Sequence, residues 1–144
     1  MIAKFREILS LEILQDNRLF EGAVSFILVC KSRGLTIAVA TSKPTYLAKL
    51  VVLHSKLGPL VDFTQGTDNF LPKPAPDVII KCLEFLESQT GLMFGDRKED
   101  MIAGTAASLT SIGIVNSSHS HLDLKESGAL RTYDNYFEMI KDID

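Results

Sequence analysis

Four short stretches carry residue types that could do chemistry together: Thr41-Ser42, Gly66-Thr67-Asp68, Lys73 between two prolines, and Gly95-Asp96 with Asp100 four residues on. Hydroxyls and helix N-terminal N–H groups accept an anion, a lysine neutralises it, and paired carboxylates hold a hard cation such as Mg2+. The set therefore suits a phosphate together with a divalent metal. Asp96 and Asp100 are the sharpest pair. Gly95 lets the chain turn tightly off a strand, so that Asp96 projects over its end, and Asp100 falls near the first turn of the helix that follows. Each residue also has a plainer reading. Asp100 or Glu99 caps a helix and complements its dipole, Thr41 or Ser42 caps the helix led by Pro44, and Lys73 is a solvated surface lysine. The joint spacing is what favours the chemical reading.

For these stretches to meet, the chain needs an alternating architecture, and the hydrophobic pattern supplies one. Phe5, Ile8, Leu9 and Ile13 share one face at helical spacing over about residues 3–16, and a second helix over 22–33 stops at Gly34. Leu35–Ala40 is short and rich in β-branched residues, which reads as a buried strand. The helix opened by Pro44 ends near Gly58. A weak strand over 61–64, a stiff Pro72–Pro76 loop and a helix over 77–88 follow. Leu92–Phe94 is a strand running into Gly95, residues 100–108 are helical, Ser111–Val115 is a strand, the Ser/His stretch 117–121 is loop, and Tyr136–Ile143 closes the chain as a helix. Strands alternating with helices of this length mean βα units and a parallel sheet, the α/β class. In such sheets ligands bind beyond the carboxyl ends of the strands, where three of the four polar stretches fall.

Composition narrows the classes further. A 144-residue chain with 46% hydrophobic content and a net charge of −3 is neither disordered nor basic enough for a nucleic-acid footprint. Its length fits one domain with its own core. Cys30 and Cys82 lie far apart in amphipathic helices and read as small buried hydrophobes rather than a disulfide framework, which points to a reducing, cytoplasmic setting. No apolar run approaches the ~18 residues of a membrane span, and Lys4, Arg6 and Glu7 interrupt any signal-like start.

Three longer segments resemble the haloacid dehalogenase-like (HAD) superfamily, in particular its phosphoglycolate phosphatase-like branch: Ile37-Ala-Val-Ala-Thr-Ser-Lys-Pro44, Leu71-Pro-Lys-Pro-Ala-Pro-Asp77 and Gly95-Asp-Arg-Lys-Glu-Asp-Met-Ile-Ala-Gly104, with the ending Ser111-Ile-Gly-Ile-Val115. Order and separations agree over about Phe20 to Val115. The resemblance implies a Rossmann-like core with a mostly parallel sheet flanked by helices. It implies that Thr41 binds a phosphoryl oxygen with the Ser42 backbone N–H beside it, where the family often has Asn. It further implies that Lys73 balances charge on the phosphoryl group and the attacking carboxylate, that Asp96 ligates Mg2+, and that Asp100 holds the metal or its water. In this family an aspartate attacks phosphorus, and water hydrolyses the aspartyl-phosphate.

That nucleophile is missing from the expected place. The family carries it as Asp-x-Asp-x-Thr/Val after the first strand, yet upstream of Thr41 the only aspartate is Asp16, followed by Asn17-Arg18. The only Asp-x-Asp is Asp142-Ile-Asp144, at the end of a helix with no Thr or Val after it. Residues 1–20 instead resemble the last helix of the family's cap and its return to the core, leaving residues 21–144 as the HAD-like core. The expectation is a sheet without its first, central strand and without most of the cap. Either the strands carrying Thr41 and Asp96 then pair directly, or a gap is left that a homo-oligomer or complementing chain could fill. On this reading the chain alone is a poor catalyst: either a hydrolase whose nucleophile segment is supplied elsewhere, or a non-catalytic phosphate-binding or protein-interaction module. A receiver-like signalling domain would need an acidic pair after its first strand, where Leu35–Ala40 ends in Thr41-Ser42. His119 and His121 read as solvated loop, His54 as a structural histidine, and Tyr133 and Tyr136 as packing for the last helix.

Overall fold

The structure, a computed structural model, describes residues 6–10, 17–115 and 118–143. The strands are β1 (Arg6–Ser10), β2 (Thr36–Ala40), β3 (Phe63–Gln65), β4 (Leu92–Gly95), β5 (Thr110–Ile114) and β6 (Ala129–Tyr133). Helices α1 (Asn17–Ser32), α2 (Thr45–Leu53), α3 (Asp77–Phe85), α4 (Lys98–Ala106), α5 (His121–Glu126) and α6 (Tyr136–Ile143) alternate with them. The strands form one six-stranded sheet in the order β3-β2-β1-β4-β5-β6, and every described pairing is parallel. The α/β class and the parallel sheet expected from the sequence are what the chain adopts.

Alternation along the strands sorts the core into two layers. Ile37 and Val39 of β2 and Phe94 of β4 face a cluster with Ala23, Phe26, Ile27 and Cys30 of α1, Ala48 and Val52 of α2, and Tyr136 and Met139 of α6. Phe26 anchors this layer, its ring 5.1 Å from that of Phe94 and 5.2 Å from that of Tyr136. Ala38, Ala40 and Met93 point the other way, onto Val78, Ile79, Cys82 and Leu83 of α3 and Ala103 of α4. Helices on both faces are what a parallel sheet needs to keep each face dry. Both cysteines are buried and outside any disulfide, and burial pushes the Cys82 thiol up to about 12, so the small-hydrophobe reading holds. Gly34, at φ +78°, closes α1 in the left-handed conformation that glycine tolerates, with its N–H on the Lys31 carbonyl at 3.0 Å.

Residues 6–10 depart from the expected helix. They form β1 and pair with β2 from Arg6↔Thr36 to Ser10↔Ala40 and with β4 from Glu7↔Leu92 to Leu9↔Phe94. The central seat is thus filled by the chain itself. The strands leading to Thr41 and Asp96 neither pair directly nor leave a gap, and no complementing chain is needed between them. The physical reason is hydrogen-bond satisfaction: two buried strands with open backbone groups between them compel a third. Apolar spacing over a few residues cannot decide between the two periods. Residues 3–5 and 11–16 of that expected helix lie outside the described residues. Helix α5 and strand β6 were not expected from the sequence pattern. His54 is exposed at the C-terminus of α2, whereas Tyr136 is buried as expected.

Candidate phosphate and cation site

The strand order reverses direction between β1 and β4, and the crevice beyond the strand ends at such a switch point is where α/β sheets bind ligands. Three turns build this edge: one after β2, one after β3, and one after β4.

After β2, Thr41 is buried. Its N–H donates to the Gln65 carbonyl at 3.1 Å, and its Oγ accepts from the Lys43 N–H at 3.2 Å. Ser42 is exposed and faces the cleft. Neither hydroxyl caps α2. Pro44 occupies the cap position, and the cap is Asp68, which accepts from the Thr45 N–H at 3.0 Å and from the Thr45 hydroxyl at 2.7 Å. These bonds, the backbone one foremost, hold the Asp68 carboxyl below its ordinary range. The plainer reading of Thr41 and Ser42 as caps therefore fails, and Asp68 stands as a helix cap.

Lys73 is no surface lysine. The proline-rich loop carries its side chain inward, where Nζ donates to the Ala40 carbonyl at 3.2 Å and to Asp100 Oδ1 at 2.5 Å. Lys73 is 8% exposed and Asp100 1%, so the pair is a buried ion pair. The other oxygen of Asp100 accepts from the Arg97 N–H at 3.2 Å, which caps the N-terminus of α4. The structural and chemical readings of Asp100 thus draw on different oxygens of one carboxylate. Gly95 is required for this approach, because a Cβ there would run into the Asp100 side chain, with Oδ2 at 2.5 Å. Gly104 serves a similar purpose further along α4, where a Cβ would collide with the Ser111 hydroxyl and press on Met93 Cβ at 2.8 Å.

Asp96, at the end of β4, is 6% exposed. The buried charged side chains among the described residues are Lys73, Asp96 and Asp100, a set with one more negative charge than positive. Buried carboxylates in excess of their cation are costly. Two carboxylates also match the usual protein share of a Mg2+ shell, which is one or two carboxylates with water and phosphate oxygens making up the rest. In charge and donor type the two carboxylates suit such an ion, with Asp100 already engaged by Lys73 and the Arg97 N–H.

Ser42, Lys73, Arg97, Glu99 and Asp100 line a cleft of about 290 Å3. Arg97 and Glu99 were not singled out from the sequence as cleft residues. Their signal is position: they occupy the turn between the two aspartates, so any cleft that Asp100 reaches they must border. Arg97 Nε lies 3.4 Å from Glu99 Oε2. The backbone N–H of Glu99, with the Arg97 guanidinium adding to it, holds the Glu99 carboxyl below its ordinary range. His121 opens α5, with Nδ1 2.7 Å from the Thr132 hydroxyl and Nε2 2.9 Å from Asp134. No group of three or more His, Cys, Asp or Glu among the described residues is arranged to hold a metal. No described helix is long and apolar enough to cross a membrane.

A family model described as haloacid dehalogenase-like hydrolase matches residues 2–108. Among curated proteins, the phosphoglycolate phosphatase of Colwellia psychrerythraea is 25% identical over 143 residues, covering 96% of this chain and 61% of that protein. The phosphoglycolate phosphatase of Haemophilus influenzae is 27% identical over 128 residues, covering 86% and 57%. A crystal structure described as a predicted phosphatase from Clostridium acetobutylicum matches with a TM-score of 0.78 at 32% identity, covering 86% of this chain and 59% of that one. The chain spans roughly three-fifths of the length of these relatives.

Proposed function

The chain belongs to the haloacid dehalogenase-like hydrolases, and from that premise we propose that it carries the phosphoryl- and Mg2+-binding portion of a phosphomonoesterase site acting through an aspartyl-phosphate. Thr41 and the Ser42 N–H hold phosphoryl oxygens. Lys73 balances their charge from the floor of the cleft. Asp96 and Asp100 are the carboxylates that would hold Mg2+, which when bound supplies Lewis-acid stabilisation of charge on the phosphoryl oxygens. The substrate class is a small phosphorylated molecule, as the names of the phosphoglycolate phosphatase relatives suggest.

The observation that carries this reading is the buried Lys73–Asp100 pair beside Ser42, with Asp96 as a further buried carboxylate. Burying a lysine and its carboxylate partner carries a desolvation cost, and such costly buried charges cluster at functional sites. The same reading puts the attacking group outside these residues' own motifs, because no Asp-x-Asp stands directly after β1 in the sequence. On this reading the 144 residues alone bind phosphate without turning it over. That absence also favours the second reading, a non-catalytic phosphate-binding or protein-interaction module.

The test is an aryl phosphatase assay on the purified chain with Mg2+, with EDTA and with Asp96→Asn, run beside amide-shift titration with inorganic phosphate. The expected result is no turnover, with shifts at Ser42 and Lys43 that Thr41→Val weakens. Turnover that needs Mg2+ and is lost in Asp96→Asn overturns the assignment of the nucleophile elsewhere. Resonances that ignore phosphate overturn the site. Exchanging β1 for a strand followed directly by Asp-x-Asp, so that it takes the same central seat, separates the two readings: restored turnover supports the hydrolase, and continued silence supports the module.

A further inference from the structure

The turn after β3 supplies no ligand to the proposed site, yet it is bonded to the anion-binding loop along its whole length. Asp68 takes both the N–H and the hydroxyl of Thr45. The Thr45 hydroxyl in turn accepts from the Gly66 N–H at 3.1 Å. The Thr67 N–H donates to the Lys43 carbonyl at 2.8 Å, and the Thr67 hydroxyl to the Thr41 carbonyl at 3.0 Å. Gly66 sits so close to this loop that a Cβ would meet the Thr45 N–H nitrogen and lie 2.5 Å from the Lys43 carbonyl oxygen. Thr67 and Asp68 thus hold the backbone of Thr41, Lys43 and Thr45, the alternate members of the segment that presents Thr41 and Ser42, and Gly66 holds the Thr45 hydroxyl.

We infer that Asp68, acting through Thr45, is a positioning residue that sets the geometry of the phosphoryl-binding loop, and this inference rests on the function proposed above. A loop binds a tetrahedral anion well only if its donors already point at the oxygens before the anion arrives, since ordering them on binding subtracts from affinity. A helix cap with no such role would stabilise α2 and leave phosphate affinity untouched. That difference makes the inference testable. The capping box of α5, in which Ser120 and Asp123 exchange hydrogen bonds, is a matched control far along the chain.

The experiment measures the dissociation constant of inorganic phosphate with Mg2+ by amide-shift titration, and the melting midpoint, for the full chain and for Asp68→Asn, Thr45→Val, Thr45→Ser, Thr41→Val and Ser120→Ala. Losing hydrogen bonds to a charged group predicts roughly a tenfold or greater weakening in Asp68→Asn and Thr45→Val. Thr45→Ser, which keeps the hydroxyl, stays near the parent. Ser120→Ala lowers the midpoint as a lost cap should and leaves the phosphate affinity alone. If Asp68→Asn and Thr45→Val bind as the parent does while Thr41→Val is weakened, the positioning role is overturned and the site stands. If the parent fails to bind, or Thr41→Val binds unchanged, the proposed site falls and takes this inference with it. Asp68 is exposed, so its substitution leaves the core packing untouched, and the melting midpoint together with Thr45→Ser guards against a gross change at the helix start.

Discussion

Asp68 and Asp100 do the same local job in opposite settings. Each accepts a backbone N–H at the start of a helix, Asp68 from Thr45 and Asp100 from Arg97. Asp68 is exposed, and its second oxygen goes to a hydroxyl of the residue it caps. Asp100 is buried, and its second oxygen goes to an ammonium brought in from a distant loop. Removing an exposed cap costs what the cap contributed, because water replaces the lost bond. Removing one member of a buried pair leaves the other charge stranded. One motif is therefore an exposed brace between two neighbouring loops, and the other ties three loops of the fold into a single buried electrostatic unit.

The comparison breaks most easily at Lys73. Lys73→Met strands the Asp100 carboxylate in the interior, and denaturant unfolding should show a loss of about 3–5 kcal/mol. Adding Asp100→Asn to Lys73→Met should recover a fraction of that loss, a coupling visible in a double-mutant cycle. Gly95→Ala comes next. It forces the Asp100 side chain away from Arg97 and Lys73, for a loss of about 1–3 kcal/mol read from the same transitions. Asp68→Asn should lower the midpoint least of the three and leave the Lys73–Asp100 pair intact.

A pH titration sharpens the contrast. The Asp68 carboxyl lies below its ordinary value of 3.8 in the folded chain, held there first by the Thr45 backbone and hydroxyl bonds, with Lys49 a neighbouring cation that adds to them. Its contribution to stability is therefore fully present above the unfolded value and is lost as pH falls through the lower folded one. The Thr45 amide resonance should hold steady down to about pH 4 and move only below it. Smallest of all, Cys82, pushed up to about 12, should resist alkylation at about pH 8 in the native chain and react once it is unfolded.

Much of the candidate site was legible because its spacing is local. Gly95-Asp96 and Asp100 lie within one strand-to-helix turn, and Lys73 sits between prolines that fix its backbone; such features are written in consecutive residues. The elements that were missed share the opposite property. Ala129–Tyr133 is an edge strand whose Leu130 and Arg131 are exposed, so it lacks the apolar signature of the inner strands. His121–Glu126 is too short for a helical period to register, and buries Leu124.

Local order, then, reached the fold class, the βα alternation and the residue types at the strand ends. Only the assembled sheet decided which partner each charged group would take. Asp68 turns to Thr45, while Asp100 divides itself between Arg97 and Lys73. Arg6–Ser10 enters the sheet as its central strand. The reason is the same in each case: buried backbone groups and buried charges must find partners, and many of the partners they find lie tens of residues away in the chain.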